Sequence, residues 1–580
     1  MEQRNLLLAV VLSLGILLSF QAFYDYHYPP PPKTAESEAT SASETPTAPT
    51  DAGDIPSLRK AGGVEIAEAG DANREAALSE DVRIAIDSAR IDGSLRLKGG
   101  RIDDIRLKTY RETTDPASPE ITVLYPAGTA RPYYAQFGWV AGDASVPVPG
   151  ADTPWQTKDT LLTPEHPVTL TWRNGQGLEF TRRIALDKAY MFTVTDRVKN
   201  LGENEVTLHA YGLVSRTGTP ETQGFFILHE GLLGVFNHTL EEVDYDDLQE
   251  KQVIETNSEG GWIGITDKFW LAALVPDQKA ANHYRFTHRS VGGESKYQVD
   301  FLGPGLVLPA GETVETASRV FAGAKEVRLL DAYANKLNIV LFDRGVDFGW
   351  FYFLTKPIFY LLDYLNAVLG NFGLAILLMT VMIKLVFYPL ASKSYRAMSK
   401  MKLLQPKVVE LRERLKDDRQ KMSQELMELY KSEKVNPLAG CLPVLIQLPV
   451  FFALYKVLFV TIEMRHAPFY GWIHDLSAPD PTTIFNLFGL LPFTPPDFLQ
   501  LGIWPIFMGI TMWAQFRLNP PPADPIQAKI FQFMPLVFTF LLAHFPAGLV
   551  IYWAWNNILS IAQQWWIMRK MGVDTKTALS

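Results

Sequence analysis

The sequence predicts a polytopic α-helical membrane protein of six spans joined to a large all-β domain on the outer side of the membrane. Three observations predict it. Six apolar stretches approach the length that a bilayer core requires; the region 61–330 alternates apolar and polar side chains; and charge is unevenly distributed. Residues 25–349 hold 32 Lys and Arg against 48 Asp and Glu, whereas 391–437 holds 12 against 7. Loops rich in Lys and Arg stay in the cytoplasm, so the second stretch is placed inside and the acidic region outside.

The first element, 1–24, is "NLLLAVVLSLGILLSFQAF" behind a short "MEQR". Signal cleavage wants small residues at −3 and −1, but Ala22 at −1 puts Phe20 at −3, so an uncleaved signal anchor is expected. Residues 25–60, with "PPPPKTAESEATSASETPTAPTDAGD", are too polar to bury a core and are expected to form a disordered tether. From 61 to 330 the apolar residues step by two, as in Val82, Ile84 and Ile86 or Val168, Leu170 and Trp172. Turn signals such as "NGQG" and "LGENE" separate them, which predicts one antiparallel β-sandwich. Residues 331–370 read as connecting helices, the second lying in the membrane interface, because Lys356, Pro357 and Asp363 interrupt its aromatic-rich run.

The five remaining spans are expected at 372–390, 438–460, 499–516, 530–545 and 547–568, within a core of 371–570. The last two form one apolar run, about 57 Å long as helix, and "FPAG" is its only turn signal. Arg517, Lys529, Arg569 and Lys570 fall at the ends that an alternating path places inside, whereas Arg465 is the only Lys or Arg in 461–498. Both termini, including a short tail at 571–580, are then cytoplasmic, and the β-domain is periplasmic if the membrane is a bacterial inner membrane. The single cysteine, Cys441, excludes an intramolecular disulfide.

Lys384 stands inside the span 372–390. A charge near the middle of a span costs about 2.5–3.5 kcal/mol on insertion scales, and a lysine six residues from the span's end can also snorkel to the headgroups. Its company favours a function. Thr380 lies one turn earlier, Gln447 is in the third span, Thr511 and Gln515 are in the fourth, and Trp553, Asn557, Ser560 and Gln564 form a stripe on the sixth. Polar groups at membrane depth must meet one another or water, so these residues either pair helix to helix or line a shared wet cavity around the cation. The second reading is the one expected.

In the basic loop, Met398, Met401, Leu404, Val408, Leu411 and Leu415 recur at helical steps, and Met422, Leu426 and Leu429 do so again after "DDRQ". Two amphipathic helices forming an antiparallel cytoplasmic hairpin at 391–437 are expected, with methionines suited to apolar nascent segments. No HExxH, GxxxxGK or GxSxG pattern is present, and histidines such as His209, His229, His283 and His288 read as structural. No catalytic residue, cofactor or metal is expected.

The stretches "EKVNPLAGCLPVLIQLPVFFALY" (433–455), "WIHDLSAPDP" (472–481) and "FPAGLVIYW" (545–553) resemble the YidC family of membrane protein insertases. The resemblance covers about 371–570, and the periplasmic domain and signal anchor are similar to the Gram-negative branch. It implies a five-helix insertase core with a hydrophilic groove, a cytoplasmic hairpin and a periplasmic β-supersandwich. Thr380, Lys384, Gln447, Trp553, Asn557, Ser560 and Gln564 would lie along the groove, Lys384 where the family pattern most often has arginine and Trp553 where tyrosine is usual. The implied partners are nascent inner membrane proteins, the Sec translocon with its accessory subunits, ribosome–nascent chain complexes and membrane lipids, but not DNA. Two other readings stay open from the residues alone: a membrane-anchored carbohydrate-active enzyme acting through the β-domain, and a secondary transporter.

Overall fold

A computed structural model describes residues 71–222, 228–349, 351–415, 418–433, 435, 442–489, 491, 496, 500–519 and 525–571. The expected signal anchor, the tether, residues 61–70, Cys441 and the tail beyond 571 lie outside them.

The alternating region forms two packed sheets. One has eleven strands, along the path Val253–Glu259, Ala281–Val291, Glu294–Leu302, Val206–Thr217, Tyr133–Ala141, Arg101–Arg111, Ile91–Arg96, Arg83–Asp87 and Leu161–Leu162, with Leu306–Leu308 and Glu120–Leu124 pairing beside it. The other has eight, in the order Thr239–Val243, Gly231–Phe236, Trp262–Thr266, Trp270–Val275, Thr313–Ala324, Met191–Asn200, Leu178–Leu186 and Val168–Arg173. Pairing among these strands is antiparallel except where Ala85 and Ile86 meet Leu161 and Leu162. Strands with one wet face keep the period of two: in Leu178–Leu186 the residues Leu178, Phe180, Ile184 and Leu186 are buried. Strands covered on both faces, such as Gly231–Phe236 ("GLLGVF"), are buried throughout and read as continuous apolar runs. Trp139, Trp262, Phe180 and Phe286 fill the interior between the sheets. Charges there are paired: the Arg182 guanidinium donates to both oxygens of Asp196, at 2.7 and 2.9 Å.

The helices are α1 (Asp71–Ser79), α2 (Tyr245–Lys251), α3 (Val327–Lys336), α4 (Tyr352–Leu369), α5 (Phe372–Val386), α6 (Tyr388–Leu403), α7 (Gln405–Arg414), α8 (Arg419–Ser432), α9 (Leu442–Val460), α10 (Ile503–Leu518), α11 (Pro525–Leu542) and α12 (Ala547–Lys570). Gly370, left-handed at φ 68°, ends α4. Asn371 then caps α5 by accepting the Leu374 amide at 3.0 Å. The turn foreseen at "FPAG" separates α11 from α12.

One expected span is corrected. Residues 372–390 are not a single straight helix: α5 ends at Val386, and α6 leaves it at 70°. Pro389, in the first turn of α6, has no N–H to donate, and its ring would clash with the Leu385 carbonyl of a continuous helix. Among the described residues no single helix is long and apolar enough to cross a membrane, while this bent pair meets that requirement jointly. The expected hairpin is likewise divided. The stripe from Met398 to Leu415 breaks at Leu404, ahead of Pro406, into α6 and α7, and only α7 and α8 run as a pair, bridged by Lys407–Glu433 and Arg414–Glu425.

The β-domain rests directly on one end of the helical region. Lys456 of α9 holds Asp347 at 2.7 Å, and the same carboxylate oxygen accepts the His229 amide at 3.2 Å. Arg465 donates to the carbonyls of Arg111 and Glu112 at 2.6 and 3.0 Å. Lys268 lies over the Phe459 ring, 3.9 Å from its centroid.

Candidate functional site

A small cavity of about 50 Å³ lies at the bend between α5 and α6, enough to hold ordered water. Thr380, Ile383 and Lys384 line it from α5, and Ala391 and Tyr395 from α6. Gln447 and Val450 contribute from α9, and Tyr552 and Asn556 from α12. Lys384 extends its Nζ across to Ser560, donating to Oγ at 2.7 Å, and Ser560 Oγ in turn donates a hydrogen bond to the Asn556 carbonyl at 2.8 Å. Among the described residues no carboxylate is paired with Lys384. The cation is therefore held by a neutral hydroxyl, which can release it to an arriving anion.

The seven expected groove residues separate into two groups. Lys384, Thr380 and Gln447 line the cavity, and Ser560 binds the lysine. Thr380 is spent on its own helix, donating to Ile376 O at 2.7 Å. Trp553, Asn557 and Gln564 are not among the lining residues and join helices instead. Asn557 donates to Thr511 Oγ1 at 3.2 Å, Gln564 to Leu518 O at 3.1 Å, and the Trp553 ring packs on Phe451 and Phe538. For these three, the helix-to-helix alternative describes the geometry. Tyr552 and Asn556 line the cavity although the sequence reading does not single them out; with Ser560 they repeat at i, i+4, i+8, a stripe as regular as that of Trp553, Asn557 and Gln564. Of the expected hairpin contacts, Met398 and Leu404 are buried, while Met401 and Met422 are half-buried. Met398 packs with Tyr395 and Ile567, that is, on α12 rather than within the hairpin.

Apolar side chains flank the cavity where the helix bends. Leu385, Val386, Phe387, Tyr388 and Leu390 are all exposed. The face of α11 carrying Ile530, Phe533, Leu536, Val537 and Leu541 is exposed as well. Near the β-domain, Asp480 gathers the loop before α10, accepting the Trp472 indole at 3.1 Å and the Trp504 amide at 2.9 Å. The carbonyls of Ala478 and Leu476 take the free amides of Ala547 and Gly548 at the start of α12, at 2.7 and 3.0 Å.

The β-domain has a wide cleft of about 1100 Å³. His209 and His283 line it, each bonded within the fold, to Gly303 O at 3.1 Å and Asn257 Oδ1 at 2.9 Å. His229 and His288 are not among the lining residues.

Residues 83–361 match the family described as YidC periplasmic domain, and residues 364–574 match the family described as 60Kd inner membrane protein. A protein of Methylobacterium radiotolerans named membrane protein insertase YidC is 51% identical over 99% of this chain and 96% of its own length. One of the same name from Rhizobium meliloti is 50% identical over 99% and 97%. The chain belongs to the YidC family of membrane protein insertases. A crystal structure of an active YidC insertase is 18% identical, with a TM-score of 0.35, covering 83% of this chain and 92% of its own. A galactose mutarotase related enzyme from Lactobacillus acidophilus is 9% identical, with a TM-score of 0.29, covering 41% and 97%. The full-length relatives favour the insertase over the carbohydrate-active and transporter alternatives.

Proposed function

We infer that this membrane protein inserts integral proteins into the inner membrane and assists their folding, catalysing no covalent reaction. The observation that carries the mechanism is the Lys384–Ser560 contact beside a cavity whose rim is apolar. A client's polar or acidic segment enters from the cytoplasm and exchanges with Ser560 for the lysine. Its apolar helix lies against the exposed residues of the bend and of α11. Holding the polar segment part-way shortens its path through hydrocarbon, where each uncompensated charge is costly, and the membrane potential helps an acidic residue outward by about 2.3 kcal/mol per 100 mV. Weak capture is sufficient, and a neutral hydroxyl as the resting partner keeps the exchange reversible.

The topology we propose has six spans, both termini in the cytoplasm and the β-domain in the periplasm, supported by the loop charges. Helices α9 to α12 and the bent α5–α6 unit form the insertase core with the cytoplasmic pair α7–α8. Nascent membrane proteins are the clients. The Sec translocon and its accessory subunits, ribosome–nascent chain complexes and lipids are proposed partners, the basic α6–α8 region being suited to ribosomal RNA and anionic headgroups. Depleting the protein from cells and following newly made inner membrane proteins tests the function. Clients with short translocated segments should remain uninserted, and normal insertion of every client would refute it.

A further inference from the structure

Glu463 stands in the short 3₁₀ turn Ile462–Met464 beyond α9. Its Oε1 accepts the amide of Val327, the first residue of α3, at 2.9 Å, and its Oε2 is buried with no hydrogen-bond partner among the described residues. A helix normally receives such a bond from the residue just before it. Glu326 holds that place and makes no capping bond, because its carboxylate is engaged by Arg90 at 2.7 Å, Tyr190 at 3.0 Å and Tyr110 at 3.1 Å. The cap of α3 thus comes from the helical core, across the seam on which the β-domain sits.

The charged and titratable groups facing Glu463 are Glu326, Asp363 of α4 and Tyr110 on the strand Arg101–Arg111. Both carboxylates are of its own sign. Their cations, Arg90 and Arg328, are committed to Glu326 and Asp363, and no ion pair of Glu463 occurs among the described residues. Lys325, two residues before Val327, donates to Thr266 Oγ1 at 2.8 Å. An ionised Glu463 is therefore a desolvated charge with one oxygen unanswered and like charges nearby. Burial pushes its pKa up to about 7; the amides of Glu463 and Val327 oppose the rise, and Glu326 and Asp363 add to it.

We propose that Glu463 is a proton-linked docking residue: the β-domain seats on the helical core with this carboxyl neutral, and its ionisation loosens the seat. A solvated glutamate ionises near about 4.3, so between there and about 7 the docked form holds one proton more than the undocked form. Docking then tightens as pH falls through that window and is insensitive to pH above it. The topology proposed above decides only which compartment's pH is sensed; the linkage itself belongs to the seam.

The test is hydrogen–deuterium exchange of the α3 amides in the full chain in lipid nanodiscs, where both faces see the same pH, with rates corrected for the intrinsic pH dependence of exchange. Between pH 7.5 and 5.5 protection should rise about 20-fold. Glu463→Gln, neutral at both values, should be equally protected at both. Asp363→Asn removes a like charge while leaving Glu463 able to titrate, and should move the midpoint of the wild-type transition to lower pH. That shift keeps the proposal testable should the glutamine variant not fold. A flat wild-type profile, an unchanged slope in Glu463→Gln, or an unmoved midpoint in Asp363→Asn would overturn the proposal.

Discussion

Lys384 on α5 and Ser560 on α12 are 176 residues apart in sequence, and their side chains meet at 2.7 Å. The contact gives the half-buried cation a partner with no charge of its own. Ser560→Ala should therefore free the lysine without destroying the site. Cross-linking of Lys384 to an acidic client segment by a carboxyl-to-amine reagent should be retained or increased in that variant. Its loss would mean that Ser560 positions the lysine for capture.

The orientation can be read with single cysteines in a background where Cys441 is replaced by serine. Ser290 and His474 are exposed on the β-domain and the loop between α9 and α10, and Ser432 is exposed at the end of α8. An impermeant thiol reagent should label Ser290→Cys and His474→Cys in intact spheroplasts but not Ser432→Cys. The reverse pattern would invert the topology.

At the seam, Lys456 and Asp347 are mostly buried, with 15% and 18% of their side chains exposed. Lys456→Met strands Asp347 without its cation and should lower stability by about 3 kcal/mol. Adding Asp347→Asn to Lys456→Met should recover part of that loss in a double-mutant cycle monitored by thermal unfolding in detergent. Additive losses would show that the two side chains are not coupled.

Gly509 of α10 faces Thr539 of α11 so closely that a Cβ would come within 2.0 Å of Oγ1. The hydroxyl cannot easily turn away, since it donates to Pro535 O at 2.7 Å. Gly509→Ala should destabilise by about 1–3 kcal/mol, and Thr539→Ala in the same chain should restore most of it. Stability unchanged by the single substitution would show that these helices separate freely.

Much of this architecture could be read from residue spacing, because burial on one face imposes a period that sequence preserves. Val168, Leu170 and the turn at Asn174 to Gly177 declare strands, and the apolar runs with their Lys and Arg flanks declare helices. The bend after α5 was hidden because Phe387, Tyr388 and Leu390 are as apolar as the helix before them; Pro389 was the signal, and its effect is on backbone geometry rather than hydropathy. Which face of α12 meets the cavity was also illegible, since Asn556 and Asn557 are adjacent amides and only packing against α9 and α10 decides between them. The joining of "WIHDLSAPDP" to "FPAGLVIYW" through the carbonyls of Leu476 and Ala478 runs through backbone atoms, which no side-chain pattern encodes.

The pair α7–α8 follows directly on α6, whose Met398 packs on α12. Replacing 405–432 by a short glycine–serine linker should leave α6 docked and the protein stably expressed, yet reduce client insertion by about tenfold or more, equivalent to about 1.4 kcal/mol in barrier. Normal insertion by a well-expressed variant would make the pair dispensable.

The central claim is that Lys384 acts on clients by its charge. An electrostatic encounter at a hydroxyl-held lysine needs no bidentate fork, so Lys384→Arg should support insertion, whereas Lys384→Glu should fail most severely for clients with acidic translocated tails. The most direct measurement is an insertion assay in proteoliposomes with Lys384→Leu and paired clients whose tails differ only in charge. The acidic member should lose insertion by about tenfold relative to its neutral twin. Equal insertion of both members, at the rate of the unsubstituted protein, would contradict the claim and leave the lysine as a snorkelling passenger in α5.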